Sequence, residues 1–338
     1  MSRRWACLPA ACLLAVLVVA GCGTASEVRE PDVVIRGSAG AAEDRVPAGR
    51  DGDRVRLWVV THGQASDEFW TIVRNGIEAG RRQMDVEVTY RAPDVYDVGT
   101  MAQLIDEAVA ARPAGLVVSL PSDELEAPVR RAVRAGIAVV SINSGSDVSR
   151  RIGTLAHVGQ PEEEAGLQAG RRLVEAGATN ALCVNHEIGN EGLDRRCAGF
   201  ARALRKAGGV ARVLAVDTKD LDATRRRLAA AASREGVDAV LTLNNTGAEV
   251  AAEVVPRRVV LGTFDYSPAV LEALRSGRIE FAVDQQPYLQ GYLPIVFLAE
   301  RARYGLFPAQ GEVVPTGPSF VTGENAAQAE RLSRRGIR

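Results

Sequence analysis

Residues 115–145 read GLVVSLPSDELEAPVRRAVRAGIAVVSINSG, and this stretch decides the fold. Two apolar runs, Gly115–Leu120 and Ile137–Ile142, flank a segment in which Leu125, Val129, Ala132 and Val133 recur at helical spacing. Continuous runs of this kind suit strands buried on both faces of a parallel sheet. The helix between them must lay its apolar stripe on that sheet. The unit is a β-α-β crossover of right-handed sense, and its second strand ends on polar residues, Asn143-Ser144-Gly145.

The same alternation continues on both sides. Val55–Val60, Ala181–Val184, Ala239–Leu243 and Val259–Phe264 read as strands. Trp70, Val73, Ile77 and Gly80 share one helical face, and Met101, Leu104, Ile105, Ala108 and Val109 share another. One set of units runs from Val55 to about Thr154 and a second from about Gly159 to Asp284. A helical stretch, Tyr288–Tyr304, and two short apolar runs, Val313-Val314 and Phe320-Val321, come last. The expected class is α/β, two doubly wound parallel-sheet lobes joined by a multi-strand hinge. Lobe 1 comprises 54–154 plus about 286–312, and lobe 2 comprises 155–285 plus about 313–323. Residues 324–338, polar and Arg-rich, read as a solvated tail.

At the other end, Arg3 and Arg4 precede an apolar run from Trp5 to Ala20. This reads as a signal peptide over residues 1–21, its apolar run shorter than the roughly 20 residues a spanning helix needs. Val19-Ala20-Gly21-Cys22 resembles the lipobox of bacterial lipoproteins. That resemblance implies a lipid thioether on Cys22, an extracytoplasmic location and attachment to the membrane through lipid alone. Residues 22–53 show no sustained apolar period and read as a flexible tether. Cys7 and Cys12 leave with the signal, so Cys183 and Cys197 remain as an even pair in an oxidising compartment. A disulfide between them is expected; two separate buried thiols are the other arrangement the sequence allows.

Composition and motifs exclude several functions. A net charge of −1 gives no electrostatic basis for binding nucleic acid. There is no Gly-x-Ser-x-Gly, no P-loop and no Gly-x-Gly-x-x-Gly after a strand, so neither an enzyme nor a cofactor is expected. His186-Glu187 opens like a zinc-protease motif, but Asn190 stands where the second histidine belongs. His62, His157 and His186 lie on separate segments without ligand spacing, so no metal is expected.

Ligands of doubly wound sheets bind beyond the carboxyl ends of the strands. Standing there are His62, then Asp67, Phe69 and Trp70; Asn143; His186; Asn244; Asp265; and Gln285. Neutral amides and a few carboxylates hydrogen-bond hydroxyl groups, and aromatic rings cover C–H faces. Taken singly, each has an ordinary reading: Phe69 or Trp70 as core, Asp265 as cap of the helix near Ser267, Arg196 as a surface ion pair. As a set they suit a small neutral polyhydroxylated ligand.

In this order the segments resemble the periplasmic sugar-binding proteins of ABC importers, of the ribose/galactose-binding kind, over about Val55 to Val321. Asp67-Glu68-Phe69-Trp70 stands for that family's Asn-Pro-Phe-Phe-like segment, and Val139–Ser144 for Val-Val-x-Ile-Asp-Arg. Arg196–Phe200 matches Arg-x-x-Gly-Phe, Asn244-Asn245 the Asn-Asp turn, Gly262–Asp265 Gly-Phe-Asp, and Gln285-Gln286-Pro287 Gln-x-Pro. The resemblance implies a type I periplasmic binding protein, a monomer that closes two lobes on its ligand and presents it to an ABC permease. It places ligand contacts on Asp67, Phe69, Trp70, Asn143, Arg196, Asn244, Asp265 and Gln285. Apart from the resemblance, His62, His157 and His186 lie near strand ends and are candidates for further contacts. Asn143-Ser144 replaces the family's Asp-Arg, and Asp67 replaces Asn, so the site is rebuilt for a ligand other than ribose. The alternative is a receptor that presents a sugar to a membrane sensor kinase.

Overall fold

The computed structural model describes residues 54–63, 68–234, 236–308 and 311–338. The proposed signal peptide, Cys22, the tether and Asp67 lie outside the described residues. Strand and helix alternate from the start: β1 (Arg56–Val60), α1 (Glu68–Gln83), β2 (Glu87–Arg91), α2 (Val98–Ala111), β3 (Gly115–Ser119), α3 (Glu126–Arg134), β4 (Ala138–Ile142), α4 (Ser146–Ile152) and β5 (Ala156–Gly159). The chain then crosses to a second lobe: α5 (Glu162–Glu175), β6 (Asn180–Asn185), α6 (Glu191–Lys206), β7 (Val210–Ala215), α7 (Leu221–Ala232), β8 (Ala239–Thr242), α8 (Asn245–Val254), β9 (Val260–Phe264), α9 (Pro268–Arg275) and β10 (Phe281–Asp284). It returns for α10 (Pro287–Tyr304) and β11 (Val313–Pro315), and crosses again for β12 (Ser319–Val321) and α11 (Ala326–Ser333).

The two six-stranded sheets have equivalent orders, β2-β1-β3-β4-β5-β11 and β7-β6-β8-β9-β10-β12. All pairings are parallel except β10 with β12. The central strand β3 is buried along its whole length, as its apolar run demands. On α1 the buried face is Trp70, Val73, Ile77 and Gly80. Full burial of each large apolar side chain contributes roughly 1.5–3 kcal/mol. The expected α/β class with two doubly wound lobes is therefore the observed one.

The lobe boundaries differ from the sequence reading, which assigns 155–285 and 313–323 to lobe 2. Both β5 and β11 belong to the first sheet, with His157 opposite Val313. The short β5 carries a histidine in place of a third apolar residue, so its strand character is hidden, and the crossing falls at Gln160-Pro161. Residues 324–338 are not a solvated tail either. Helix α11 buries Ala326 and Ala329 in the core of lobe 2.

Two helix pairs in this fold touch backbone to backbone. An added Cβ on Gly76 would overlap the Tyr288 carbonyl, and one on Gly291 would overlap that of Val73, so α1 and α10 meet through reciprocal glycines. The same device joins α5 and α6: Gly166 lies against the Arg196 carbonyl and Gly199 against that of Glu163. Beneath α6, Cys183 and Cys197 are joined by a disulfide with S–S 2.02 Å, both cysteines packed in the second-lobe core.

Closing a loop across a separation of 14 residues restricts the unfolded chain by about 3 kcal/mol. Urea unfolding of the Cys183→Ala/Cys197→Ala double variant should show a loss near that size. A loss below about 1 kcal/mol would mean the crosslink adds little to the packing around it.

Candidate functional site

The carboxyl ends of β1, β4, β6, β8, β9 and β10 converge on one cleft between the lobes. Its lining includes His62, Phe69 and Trp70, Asn143, His186, Arg196, Asn244, Asp265 and Gln285. All the sequence-derived candidates within the described residues except His157 thus come together; Asp67 lies outside them. The cleft adds Glu187, Asn190 and Asn245.

Arg196 anchors the arrangement. It is 3% exposed, and its Nε and Nη2 donate to Glu162 Oε2 and Oε1 at 2.6 and 3.0 Å. Burial disfavours the charged guanidinium, but the Glu162 carboxylate more than offsets this and holds its pKa above the usual arginine value. Its guanidinium carbon lies over Phe264, 4.5 Å from the ring centroid. This is no surface ion pair. Glu162 escapes sequence reading because it opens a Glu-Glu-Glu run at the start of α5, which looks like a solvated first turn.

Gln285 ties the lobes together where β10 leads into α10. Its Oε1 accepts from Arg196 Nη2 and from Asn143 Nδ2, both at 3.3 Å, and its Nε2 donates to the two Asp265 carboxylate oxygens at 2.9 and 3.1 Å. Asn143 and Asp265 both hold left-handed backbone, φ 61° and 58°, which turns each side chain off its strand end. Asp265 does not cap α9; Ser267 does, accepting from the Val270 amide at 3.2 Å. Asn244, by contrast, does cap a helix, accepting from Gly247 N at 2.8 Å, so its carboxamide oxygen is engaged.

The first-lobe wall is aromatic. Trp70 is 4% exposed, lies over Gly63 and meets His62 edge to face at 4.8 Å. Phe69 is more exposed and packs edge to face on Trp70. The Ser119 hydroxyl accepts from the His62 amide at 3.0 Å and bonds to the ring Nδ1 at 2.8 Å.

Polar contacts join the rims. Glu191 N donates to Pro121 O at 2.9 Å, Arg195 pairs with Asp147 at 2.6 Å, and Asn245 Nδ2 donates to Glu68 Oε2 at 3.2 Å. The lobes are in contact across the cleft mouth. Among the described residues no group of three or more histidine, cysteine or acidic side chains could hold a metal ion, and no helix is long and apolar enough to cross a membrane.

A cleft between two doubly wound lobes, lined by polar strand ends and spanned by short crossovers, defines a two-lobed ligand-binding protein. The profile described as "Periplasmic binding protein domain" matches residues 58–305, and the chain belongs to that family. A curated relative, the xylose/arabinose-binding protein XylF of Sulfolobus acidocaldarius, is 24% identical over 77% of this chain and 69% of its own length. A carbohydrate transporter structure from Acidothermus cellulolyticus 11B, in complex with myo-inositol, is 32% identical over 85% of this chain and all of its own, with TM-score 0.79. An ABC transporter solute-binding protein from Burkholderia graminis C4D1M, with D-arabinose, shares the fold at 20% identity over 82% of this chain and 98% of its own, TM-score 0.73. The family read from the motif order is the one found.

Three histidines are held neutral. Burial, then the charges of Arg196 and His186, lowers the pKa of His62 to about 3. Burial lowers that of His157 to about 4, with a bond to the Asn143 backbone acting in the opposite direction, and that of His186 to about 4 with help from Arg196. Unfolded histidine titrates near 6.5, so between about pH 6.5 and 4 the unfolded chain binds protons that the folded chain refuses. Stability should therefore fall as pH drops through that window, by up to about 1.4 kcal/mol per pH unit for each histidine. Urea unfolding at pH 7 and pH 5 checks this. His157→Asn should remove about a third of the slope; an unchanged slope would show that His157 titrates alike in both states.

Proposed function

We propose that the chain is an extracytoplasmic substrate-binding lipoprotein that captures a neutral sugar or cyclitol by closing two lobes and presents it to an ABC permease. The observation that carries this reading is the bonded set Asn143, Gln285, Arg196 and Asp265, which gathers both lobes and a crossover around one cleft. Ligand hydroxyls can both donate and accept, so they can bond to carboxamide, carboxylate and neutral imidazole groups together. The described charged lining is Glu187, Asp265 and Arg196, the last already neutralised by Glu162. Such a lining favours neutral ligands and disfavours phosphorylated or acidic ones. His186 Nδ1, buried without a hydrogen-bond partner among the described residues, gives a further polar atom at the cleft wall.

The ligand of the Acidothermus relative makes myo-inositol the first candidate, with arabinose and xylose next. Phe69 and Trp70 would cover the ring face, and Arg196, with Nε and Nη2 committed to Glu162 and Gln285, would offer Nη1. Asn244 would add a polar contact from the rim, and Asp67 is a further candidate by its place in the sequence. Capture needs no chemistry on the ligand: binding groups on both lobes bias the hinge toward closure. The chain acts as a monomer held to the membrane by lipid on Cys22. The second reading, presentation to a sensor kinase, has a fold neighbour in the XylFII–LytSN complex, 17% identical with TM-score 0.70; it shares the binding step and differs in the membrane partner.

Calorimetry with myo-inositol, D-arabinose, D-xylose and myo-inositol 1-phosphate tests the reading. One neutral polyol should bind, and the phosphate should bind at least about tenfold more weakly, a difference of 1.4 kcal/mol. Asp265→Ala should weaken the neutral ligand about ten- to a hundredfold, the loss of a hydrogen bond to a charged group. Arg196→Met should do the same and also destabilise the fold by about 3–5 kcal/mol, because it strands the buried Glu162 carboxylate. Preference for the phosphate, or unchanged affinity in both variants, would refute the assignment.

A further inference from the structure

The segment after α11 lies against both lobes. Its base is fixed to lobe 2: Ala326 and Ala329 are buried there, and Arg275 of α9 reaches Glu330 at 2.8 Å. The chain then turns back on itself, Gly336 N to Ser333 O at 2.8 Å and Ile337 N to Leu332 O at 3.1 Å, with Gly336 in left-handed backbone, φ 66°. At this turn the Gly336 carbonyl accepts from Asn75 Nδ2 of α1, in lobe 1, at 3.1 Å. Two residues on, Arg338 Nε stands 2.8 Å from Asp284 Oδ2, an ion pair whose acid is 2% exposed. The other Asp284 oxygen accepts from Gln286 N at 2.8 Å, at the crossover itself, where Gln286 also has positive φ, 52°. A small cavity borders this contact, walled by Phe69 and Ile72 of α1 on one side and Asp265, Tyr266 and Asp284 on the other.

We propose that residues 334–338 form a strap that holds the lobes closed, with Asn75 gripping its turn and the Arg338–Asp284 pair clasping it to the crossover. The proposal rests on the reading that the lobes open and close about these crossovers. A segment rooted in lobe 2 and bonded to α1 must give up the Asn75 contact when lobe 1 swings away. The clasp holds the turn where Asn75 can reach it. Burial pushes the Asp284 carboxyl toward protonation, and Arg338 is the charge that opposes this in part. Opening thus works against the strap whether or not a ligand is present, and ligand affinity includes the strap's share of the closed population.

Small-angle scattering of ligand-free protein tests this without knowledge of the ligand. A chain ending at Ser333, the Asn75→Ala variant and the Arg338→Ala variant should each show a larger radius of gyration than the wild type, with circular dichroism confirming that they fold. In an Asp284→Asn background, Arg338→Ala should add little, because the pair it would break is already discharged. Affinity for myo-inositol should weaken about tenfold in the chain ending at Ser333 if the closed fraction falls tenfold. Equal radii for wild type and the folded variants, or an Arg338→Ala effect undiminished by Asp284→Asn, would overturn the strap. Failure of the wild type to bind myo-inositol would count against the ligand assignment alone and leave the scattering comparison to decide this one.

Discussion

A guanidinium that is almost wholly buried must have its charge answered inside the protein, and the site is organised by how that demand is met. Glu162 meets it with a two-point contact to Arg196. A pair of this sort adds little net stability, because desolvation consumes most of the attraction; what it fixes is geometry. The planar fork allows one orientation against a carboxylate and, with Phe264 beneath it, sets where its remaining edge lies. Glu162 in turn accepts from Gln160 at the first crossover, and Arg196 donates to Gln285 at the second. The position of the cleft's cation is thereby tied to both crossovers.

That contact depends on α5 and α6 lying close enough for their backbones to touch. Gly166 admits the Arg196 carbonyl and Gly199 admits that of Glu163. Larger residues would part the helices and carry Arg196 away from its acid. The first lobe uses the same solution between α1 and α10, and there it brings the helix bearing Phe69 and Trp70 against the helix that follows Gln285. One packing device, used in each lobe, thus sets both the polar and the aromatic wall of the cleft.

The fold was legible where strands are continuous and apolar, as in Gly115–Leu120 or Ala239–Leu243, and obscure where edge position changes the rule. Strand β2, Glu-Val-Thr-Tyr-Arg, is half-exposed, and β7 leaves Val210 and Val213 in solvent, so neither presents the uninterrupted run of a central strand. The expected boundary between the lobes erred because β5 is four residues long with a histidine inside it. At the site, strand-end positions were readable because turn chemistry and topology place them. Their partners were not. Glu162 lies 34 residues from Arg196, and no local pattern marks an acid as buried. Asn244 is a cap as well as a cleft residue, whereas Ser267 takes the capping role that the sequence offers to Asp265.

The reciprocal glycines also bear on how the sequence can drift. At Gly115 an added methyl would press on the Leu298 side chain, which a smaller residue at 298 could relieve, so those two positions can change together. At Gly76, Gly166, Gly199 and Gly291 the neighbour is a peptide carbonyl, which every amino acid carries. No second substitution can make room there. Homologues that keep this site should therefore vary freely on the outer faces of α1, α5, α6 and α10 yet hold these four positions fixed, and variation at any one of them should mark a lineage whose helices have moved apart and whose cleft has been rebuilt.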